Sequence, residues 1–107
     1  MNENHFNLLA AEIRKELVKI QAIAQEMIEY WQPLQGQELS KVDLRVLGSF
    51  LHDFYTCIER IFRRIAVKVD GDIPPGEAWH KDLLNQMSLE IPNLRPAVID
   101  ATLFEQL

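Results

Sequence analysis

Residues 41–69 carry two opposed stripes of side chains at helical spacing. When each residue is placed about 100° further round than the last, one side of the helix is apolar: Leu47, Phe50, Leu51, Phe54, Ile58, Ile61 and Ile65. The opposite side is polar: Lys41, Arg45, Ser49, His52, Thr56, Glu59 and Arg63. A strand would alternate every second residue, and this segment does not. The pattern therefore predicts a long amphipathic helix with an arginine and a histidine on its polar side.

An earlier helix is predicted from about Glu3 to Trp31. Its apolar residues recur at spacings of three and four and cover one broad side: Phe6, Leu9, Ala10, Ile13, Leu17, Ile20, Ala24, Met27, Ile28 and Trp31. A thinner stripe on the far side is either a subunit contact or ordinary exposed surface: Leu8, Ala11, Val18 and Ala22. Pro33 and Gly36 end this helix, and Ser40 with Asp43 is a near relative of a capping box for the next. We expect the two helices, each roughly 40 Å long, to form an antiparallel hairpin.

The later elements are shorter. Residues 70–76 contain two prolines and two glycines and break the helical pattern. A third helix is predicted from about Glu77 to Leu89, burying Trp79, Leu83, Leu84 and Met87. After a loop at residues 91–96, a helix restarts near Asp100 with Leu103, Phe104 and Leu107 on its inner face. We therefore expect an all-α, antiparallel helical bundle of the four-helix type, its last helix short or truncated, as a single domain over residues 1–107.

Composition narrows the function classes. The 107 residues carry a net charge of −5, which argues against a protein held to nucleic acid by overall charge, although a local basic patch is compatible with it. Cys57 is the only cysteine, so no intrachain disulfide and no paired-cysteine zinc site is available. The three histidines are scattered, and we expect no metal site and no cofactor. No apolar run approaches the roughly 20 residues of a membrane span, and no secretion signal is apparent, so we expect a cytoplasmic protein.

Several pieces of the second half resemble a known family. They are Leu51-His52-Asp53-Phe54-Tyr55-Thr56-Cys57-Ile58-Glu59-Arg60-Ile61-Phe62-Arg63-Arg64-Ile65-Ala66, then Gly76-Glu77-Ala78-Trp79-His80-Lys81-Asp82-Leu83-Leu84, then Ile91-Pro92-Asn93-Leu94-Arg95-Pro96-Ala97-Val98-Ile99. In this order they resemble the HepT-like branch of the HEPN proteins. The resemblance covers residues 44–107 well and the first helix only in its pattern.

The resemblance implies a dimeric helical bundle from a bacterial type II toxin–antitoxin pair. In that family the HEPN protein is a metal-independent endoribonuclease, and its antitoxin is an MNT-type nucleotidyltransferase that in some systems adds AMP to a tyrosine. The catalytic element is an arginine, four to six residues and a histidine on the last long helix. We expect that helix to lie beyond Leu107, so no motif residue is carried over.

Arg45 and His52 satisfy the family's spacing on a different helix. The histidine would act as a general base toward a ribose 2′-hydroxyl and the arginine would stabilise phosphorane-like charge. Seven residues apart, they lie on one face about 10 Å from each other. Because such a pair arises easily by chance, and because it lies opposite the apolar stripe, we favour a solvated helix face.

A charged group near the end of the second helix is the other candidate surface. It consists of Glu59, Arg60, Arg63 and Arg64, followed by Lys68. The simple explanation is that these charged side chains pair with one another on the helix surface, and that the basic ones lie favourably near the negative end of the helix dipole. The functional interpretation is a groove that faces RNA or a partner, lined by Glu59 and Arg63. Trp79 is interpreted as a core anchor and His80 as a surface residue.

The sequence leaves two main functional hypotheses and a third, weaker one, an active enzyme that uses Arg45 and His52. The first is a HepT-like toxin component, by family an endoribonuclease, that is inactive or impaired in a chain without the motif helix; RNA, a second copy and the nucleotidyltransferase would be its partners. The alternative is a non-catalytic helical binding module that dimerises or binds the nucleotidyltransferase. Whether the protein is an enzyme is therefore left open at this point.

Overall fold

The computed structural model describes residues 3–76, 79–100 and 102. Three α-helices follow one another: α1 at Glu3–Trp31, α2 at Lys41–Ile65 and α3 at Trp79–Met87. A 3₁₀ turn at Gln32–Leu34 follows α1, and a π-helical turn at Ala66–Asp70 extends α2. The described residues contain no strand, only an isolated bridge between Ile91 and Arg95. The predicted all-α class is confirmed.

The predicted helix bounds agree with the structure to different degrees. Helix α1 has the predicted bounds, and α2 begins at Lys41 as predicted, with the predicted end at Val69 falling inside the π-helical turn. Helix α3 ends at Met87, two residues before the predicted Leu89, because the backbone turns there and Leu89 N–H donates to Gln86 O at 3.1 Å. The helix predicted after Asp100 lies outside the described residues except for Thr102. The four-helix antiparallel bundle and the single domain remain predictions.

The chain divides into two compact units, Met1–Ile58 and Glu59–Leu107, with the boundary inside α2. In the first unit, called the hairpin unit here, Ser40 and Asp43 form a reciprocal capping box. Asp43 N–H donates to Ser40 Oγ and Ser40 N–H donates to Asp43 Oδ2, both at 3.0 Å. The predicted helix start is therefore confirmed in atomic detail, because both side chains satisfy backbone donors that the first turn leaves unpaired.

Tyr30 joins the end of α1 to the start of α2. Its hydroxyl donates to Asp43 Oδ1 at 2.7 Å, and its ring lies 6.2 Å from that of Phe50. The hydrogen bond raises the pKa of Tyr30, helped by burial and the Asp43 charge. The Ser40 backbone N–H, the Tyr30 hydroxyl and the Ser40 hydroxyl together lower the pKa of Asp43. The Asp43 carboxylate thus caps the start of α2 and binds it to Tyr30 near the end of α1.

The second unit, called the C-terminal unit here, contains most of the buried apolar side chains. They are Ile61, Phe62, Ala66, Leu83, Met87 and Ile99. Leu83 and Met87 of α3 are almost completely buried, as predicted, whereas Trp79 and Leu84 are only half-buried. The backbone N–H groups of Val98 and Ile99 donate to Met87 O at 2.8 and 3.2 Å, which fixes the returning chain at the end of α3.

Arg95 holds the C-terminal unit together through a buried ion pair with Asp70. Its Nε and Nη2 donate to the two Asp70 carboxylate oxygens at 2.6 and 2.7 Å, and the two side chains are 7% and 5% exposed. Its remaining donors reach the carbonyls of Leu89, Pro96 and Gln86. Burial would raise the pKa of Asp70, but the hydrogen bonds from Arg95 and Gln86 and the guanidinium charge outweigh it and lower that pKa.

Candidate functional site

Arg45 and His52 both lie on α2 in the hairpin unit, and both side chains are exposed. Among the described residues, neither side chain has a hydrogen bond or an ion pair. The His52 carbonyl accepts a hydrogen bond from Thr56 Oγ1 at 2.8 Å, but its imidazole has no such orienting partner. A general base is normally oriented by a third group, and nothing in this geometry supplies one. Their catalytic role therefore has no support beyond their spacing.

Glu59 and Arg63 lie in the C-terminal unit, one helical turn apart near the end of α2. The spacing of four residues places them on one face of the helix. Glu59 is partly buried and Arg63 is exposed. Of the two neighbouring arginines, Arg60 is exposed and Arg64 is partly buried. The sequence identified this charged group, and the structure adds what lies against it.

His80, the second residue of α3, binds Glu59. His80 Nδ1 lies 2.8 Å from Glu59 Oε1. An ionised carboxylate only accepts hydrogen bonds, so the Nδ1–H of the imidazole is the donor. This contact selects the tautomer that leaves Nε2 as the hydrogen-bond acceptor in a neutral ring. The carboxylate therefore orients the imidazole and fixes the start of α3 to α2.

Trp79 contacts both the histidine and an arginine of this group. The centres of the Trp79 and His80 rings are 3.6 Å apart, with an angle of 32° between the ring planes. The guanidinium carbon of Arg63 lies 5.1 Å from the centre of the Trp79 ring, within cation–π range. We call Glu59, Arg63, Trp79 and His80 the Trp79 cluster. It brings together two charged residues of α2 and two aromatic rings of α3.

An open cleft adjoins the Trp79 cluster. It has a volume of about 270 Å³ and is lined by Arg63, Ile73, Pro74, Gly76 and Trp79; we call it the Arg63 cleft. Gly76 adopts a φ of 90°, a left-handed conformation that residues with a Cβ rarely adopt. The cleft therefore combines a guanidinium, an indole and an apolar wall made by the loop between α2 and α3.

The sequence analysis placed Glu59 and Arg63 in a candidate surface and did not predict the contacts of Trp79 and His80 with them. Trp79 was expected as a core anchor, but it is half-buried and contributes to the cleft. His80 is exposed as expected, yet it is bound to Glu59. Glu59 and His80 are 21 positions apart and Arg63 and Trp79 are 16 apart, with a loop that contains Pro74, Pro75 and Gly76 between the members of each pair. The only sequence signal was the adjacent aromatic and histidine at the predicted start of a helix.

A second apolar surface lies in the hairpin unit. Its cleft of about 290 Å³ is lined by five apolar side chains: Met27, Ile28, Trp31, Leu47 and Leu51. Ile28, Trp31 and Leu51 are each substantially exposed. We call these five residues the hairpin patch. Large apolar side chains gathered in one exposed place are typical of contact surfaces.

The chain belongs to the HepT-like family. The family model described as HepT-like protein matches residues 46–107, which is more than half of the chain and includes the Trp79 cluster and the Arg63 cleft. The resemblance found in the sequence is thereby confirmed. No curated protein and no solved structure matches the chain.

Two kinds of feature are absent from the part of the chain that the structure describes. None of the described helices has the length and apolar character needed to cross a membrane. Within residues 3–76, 79–100 and 102, no group of three or more histidine, cysteine or carboxylate side chains is placed to hold a metal ion.

Proposed function

We propose that this protein is the HepT-like component of a bacterial type II toxin–antitoxin pair, with RNA as its target and an MNT-type nucleotidyltransferase as its partner. Its family implies a metal-independent endoribonuclease, and we expect that activity to be absent or impaired in these 107 residues. Membership of the HepT-like family is the observation that carries this proposal. We assign to the described residues the surfaces that bind RNA and partners, because Arg45 and His52 lack the contacts of a catalytic pair.

The charged end of α2 supports an RNA-binding role. Arg60, Arg63 and Arg64 concentrate positive charge on a protein whose net charge is −5. Arginine binds phosphate through a planar fork of donors, and aromatic rings beside it stack on unpaired bases. Exposed Arg63 beside the ring of Trp79 provides both kinds of group.

Exposed apolar surface supports a homodimer. The hairpin patch lies on the hairpin unit, and the thin stripe on the far side of α1 is exposed as well, with Leu8 and Val18 at 60% and 64%. Burying apolar surface contributes about 25 cal/mol for each Å² removed from water. A second copy of the chain is the partner that the family relationship favours.

The alternative function is a non-catalytic helical binding module. The charged Trp79 cluster and the apolar hairpin patch are both at least partly exposed, and they would serve binding without catalysis as well as with it. Apart from the Glu59–His80 contact, no pair of groups among the described residues has the geometry of an acid–base centre. Under this alternative the protein binds the nucleotidyltransferase or itself without acting on RNA.

Partner binding is tested by identifying the genes beside this one and co-purifying the protein with the MNT-type nucleotidyltransferase that the proposal expects among them. We expect the two proteins to co-elute, and an unrelated nucleotidyltransferase is the control. Failure of the neighbouring protein to bind would contradict the toxin–antitoxin assignment.

Nuclease activity is tested by incubating the purified chain with cellular RNA in the presence of a chelator. We expect no specific cleavage by these 107 residues, because neither Arg45 nor His52 has an orienting side-chain partner among the described residues. His52→Ala and Arg45→Gln are the informative variants. Cleavage that either variant abolishes would show that the α2 pair is catalytic and would contradict this part of the proposal.

Dimerisation is tested by light scattering over a range of concentrations. We expect a dimer that Trp31→Glu or Leu51→Glu shifts toward monomer, because each places a charge in the hairpin patch. Arg14→Glu, at an exposed position of α1, is the control for a change of charge outside the hairpin patch. A monomer at every concentration would refute the proposed dimer.

A further inference from the structure

The Arg63 cleft presents complementary chemistry for one small ligand with a flat ring and an anionic group. Trp79 supplies an aromatic surface, Ile73 and Pro74 an apolar wall, and Arg63 a permanent positive charge. Ligand pockets usually measure about 300–1,000 Å³. At about 270 Å³ the cleft lies just below that range, so it suits one small ligand that is partly exposed to solvent. A single nucleotide has this combination of ring and charge.

We propose that the Arg63 cleft binds one nucleotide unit, with its base against Trp79 and its phosphate on Arg63. The nucleotide has two possible sources. The first is an unpaired nucleotide within an RNA strand, and for this source the inference deepens the proposed function and rests on it. The other source is a free mononucleotide. Base stacking on an aromatic ring and a forked arginine–phosphate contact are the two interactions that the proposal assigns.

The Trp79 cluster gives the cleft a fixed wall. His80 stacks on Trp79 at 3.6 Å, and Glu59 in turn holds His80 at 2.8 Å. A ring that is already held loses little conformational freedom when a ligand binds, which favours affinity. His80 and Glu59 therefore act as positioning residues for Trp79, and neither needs to contact the nucleotide.

The charges near the cleft favour an anion. Arg63 is the charged residue among those that line it, and the Glu59 carboxylate is engaged by His80 Nδ1. An acidic peptide would satisfy Arg63 but would not use the indole. Inorganic phosphate would likewise use only half of the cleft. Both serve as competing probes in the test.

Fluorescence of Trp79 tests the proposal directly. The chain has two tryptophans, Trp31 and Trp79, so Trp31→Phe leaves Trp79 as the reporter and keeps an aromatic side chain in the hairpin patch. This protein is titrated with AMP, with a short single-stranded oligoadenylate, with inorganic phosphate and with an acidic peptide. We expect saturable quenching by AMP, by the oligoadenylate or by both, and none by the other two probes at the same concentrations.

Arg63→Gln in the same background is the decisive variant. Removing a charge-assisted contact is expected to weaken nucleotide binding about tenfold. Arg14→Gln is the matched control, because it makes the same change of charge at an exposed position of α1 and should leave affinity unchanged. Circular dichroism checks that both variants are folded; Arg63 is exposed, so its replacement is tolerated.

Glu59→Gln tests the positioning role. It keeps the size of the side chain but weakens its contact with the imidazole, so we expect weaker quenching together with a shift in the Trp79 emission maximum of the unbound protein. A variant with lower affinity and an unchanged emission maximum would contradict this role.

The outcomes separate the ligand sources and the competing explanations. Saturable quenching by the oligoadenylate but not by AMP assigns an RNA strand, and quenching by AMP assigns a free nucleotide. Absence of saturable quenching by either, equal weakening by Arg14→Gln, or equal binding of phosphate or the acidic peptide would each overturn the proposal. Co-purification with the nucleotidyltransferase is measured on the same preparations. Partner binding without nucleotide binding would overturn the cleft alone, and the reverse would overturn the proposed function alone.

Discussion

The two units of this protein bury their apolar side chains to very different degrees. In the C-terminal unit, Leu83 and Met87 are almost completely buried and a bidentate ion pair joins Asp70 to Arg95. In the hairpin unit, Leu9 and Cys57 are the buried apolar side chains among the described residues, and many large apolar side chains are substantially exposed, Leu17 and Ile28 among them. The two units therefore differ in the buried apolar contacts and buried ion pairs that stabilise them.

This difference separates stability from association. A buried side chain has already gained the free energy of leaving water, so its removal weakens the fold. An exposed apolar side chain has gained little and can still gain it from a partner. We therefore expect the C-terminal unit, which the family match covers, to carry most of the stability. We propose the exposed apolar surface of the hairpin unit as the surface for assembly.

The largest expected effect is at Arg95. Arg95→Met should lower the free energy of unfolding by about 3–5 kcal/mol, because it leaves the Asp70 carboxylate buried without its cation. Urea denaturation followed by circular dichroism measures it. Arg14→Met, at an exposed position of the hairpin unit, is the control and should change stability by less than about 0.5 kcal/mol. Equal effects of the two variants would contradict the comparison.

A matched pair of leucine truncations compares the units directly. Leu83→Ala in α3 should cost about 2–5 kcal/mol of unfolding free energy, since the side chain is only 1% exposed. Leu17→Ala in α1, where the side chain is 46% exposed, should cost less than about 1 kcal/mol in dilute monomeric protein. The comparison is made at low concentration so that association does not contribute. A larger loss for Leu17→Ala would reverse the assignment of stability.

Acid should destabilise the protein partly through Asp70. Its lowered pKa means that the ion pair contributes fully above the ordinary carboxylate pKa of about 4 and is lost as the pH falls through the lowered value. We expect the free energy of unfolding to fall between pH 6 and pH 2, with Asp70 contributing to the fall together with other carboxylates. Asp70→Asn should be less stable at neutral pH and show a shallower acid dependence. An unchanged slope would show that Asp70 does not couple to folding.

The smallest effect is expected at the capping box. Ser40→Ala should cost about 1 kcal/mol, because an N–H of the first turn of α2 loses its acceptor. Ser49→Ala, on the exposed middle of the same helix, is the control and should be neutral or slightly stabilising. If both serine variants had the same stability, the cap would contribute nothing measurable to the hairpin unit.

Local pattern was enough to predict the helices. The three- and four-residue spacings predicted α1 with its observed bounds, and Ser40 with Asp43 predicted the start of α2. These features depend on residues a few positions apart, and the helix period or the first-turn N–H groups determine them. The family relationship was also readable, because it depends on the order of residues between 46 and 107.

Contacts across loops were not readable. Asp70 and Arg95 were only loop residues in the sequence, although they form the most buried ion pair described, and the hydrogen-bond partner of His80 was unknown. Burial on α2 also differed from the predicted stripe: Cys57, Phe62 and Ala66 are buried, while Leu51 is exposed. The spacing of apolar residues shows which side of a helix is apolar, but the residues that bury that side come from other parts of the chain.

The sequence by itself determined the all-α class, the helix bounds near capping and loop residues, the family and the charged group at the end of α2. Only the tertiary structure decided that Arg63 and Glu59 meet Trp79 and His80, that a cleft opens beside them, and that Asp70 and Arg95 are buried together. The physical reason is the separation along the chain over which each interaction acts. Helix propensity and capping act within a few residues, whereas these contacts join positions 16 to 25 residues apart and exist only when the chain has folded.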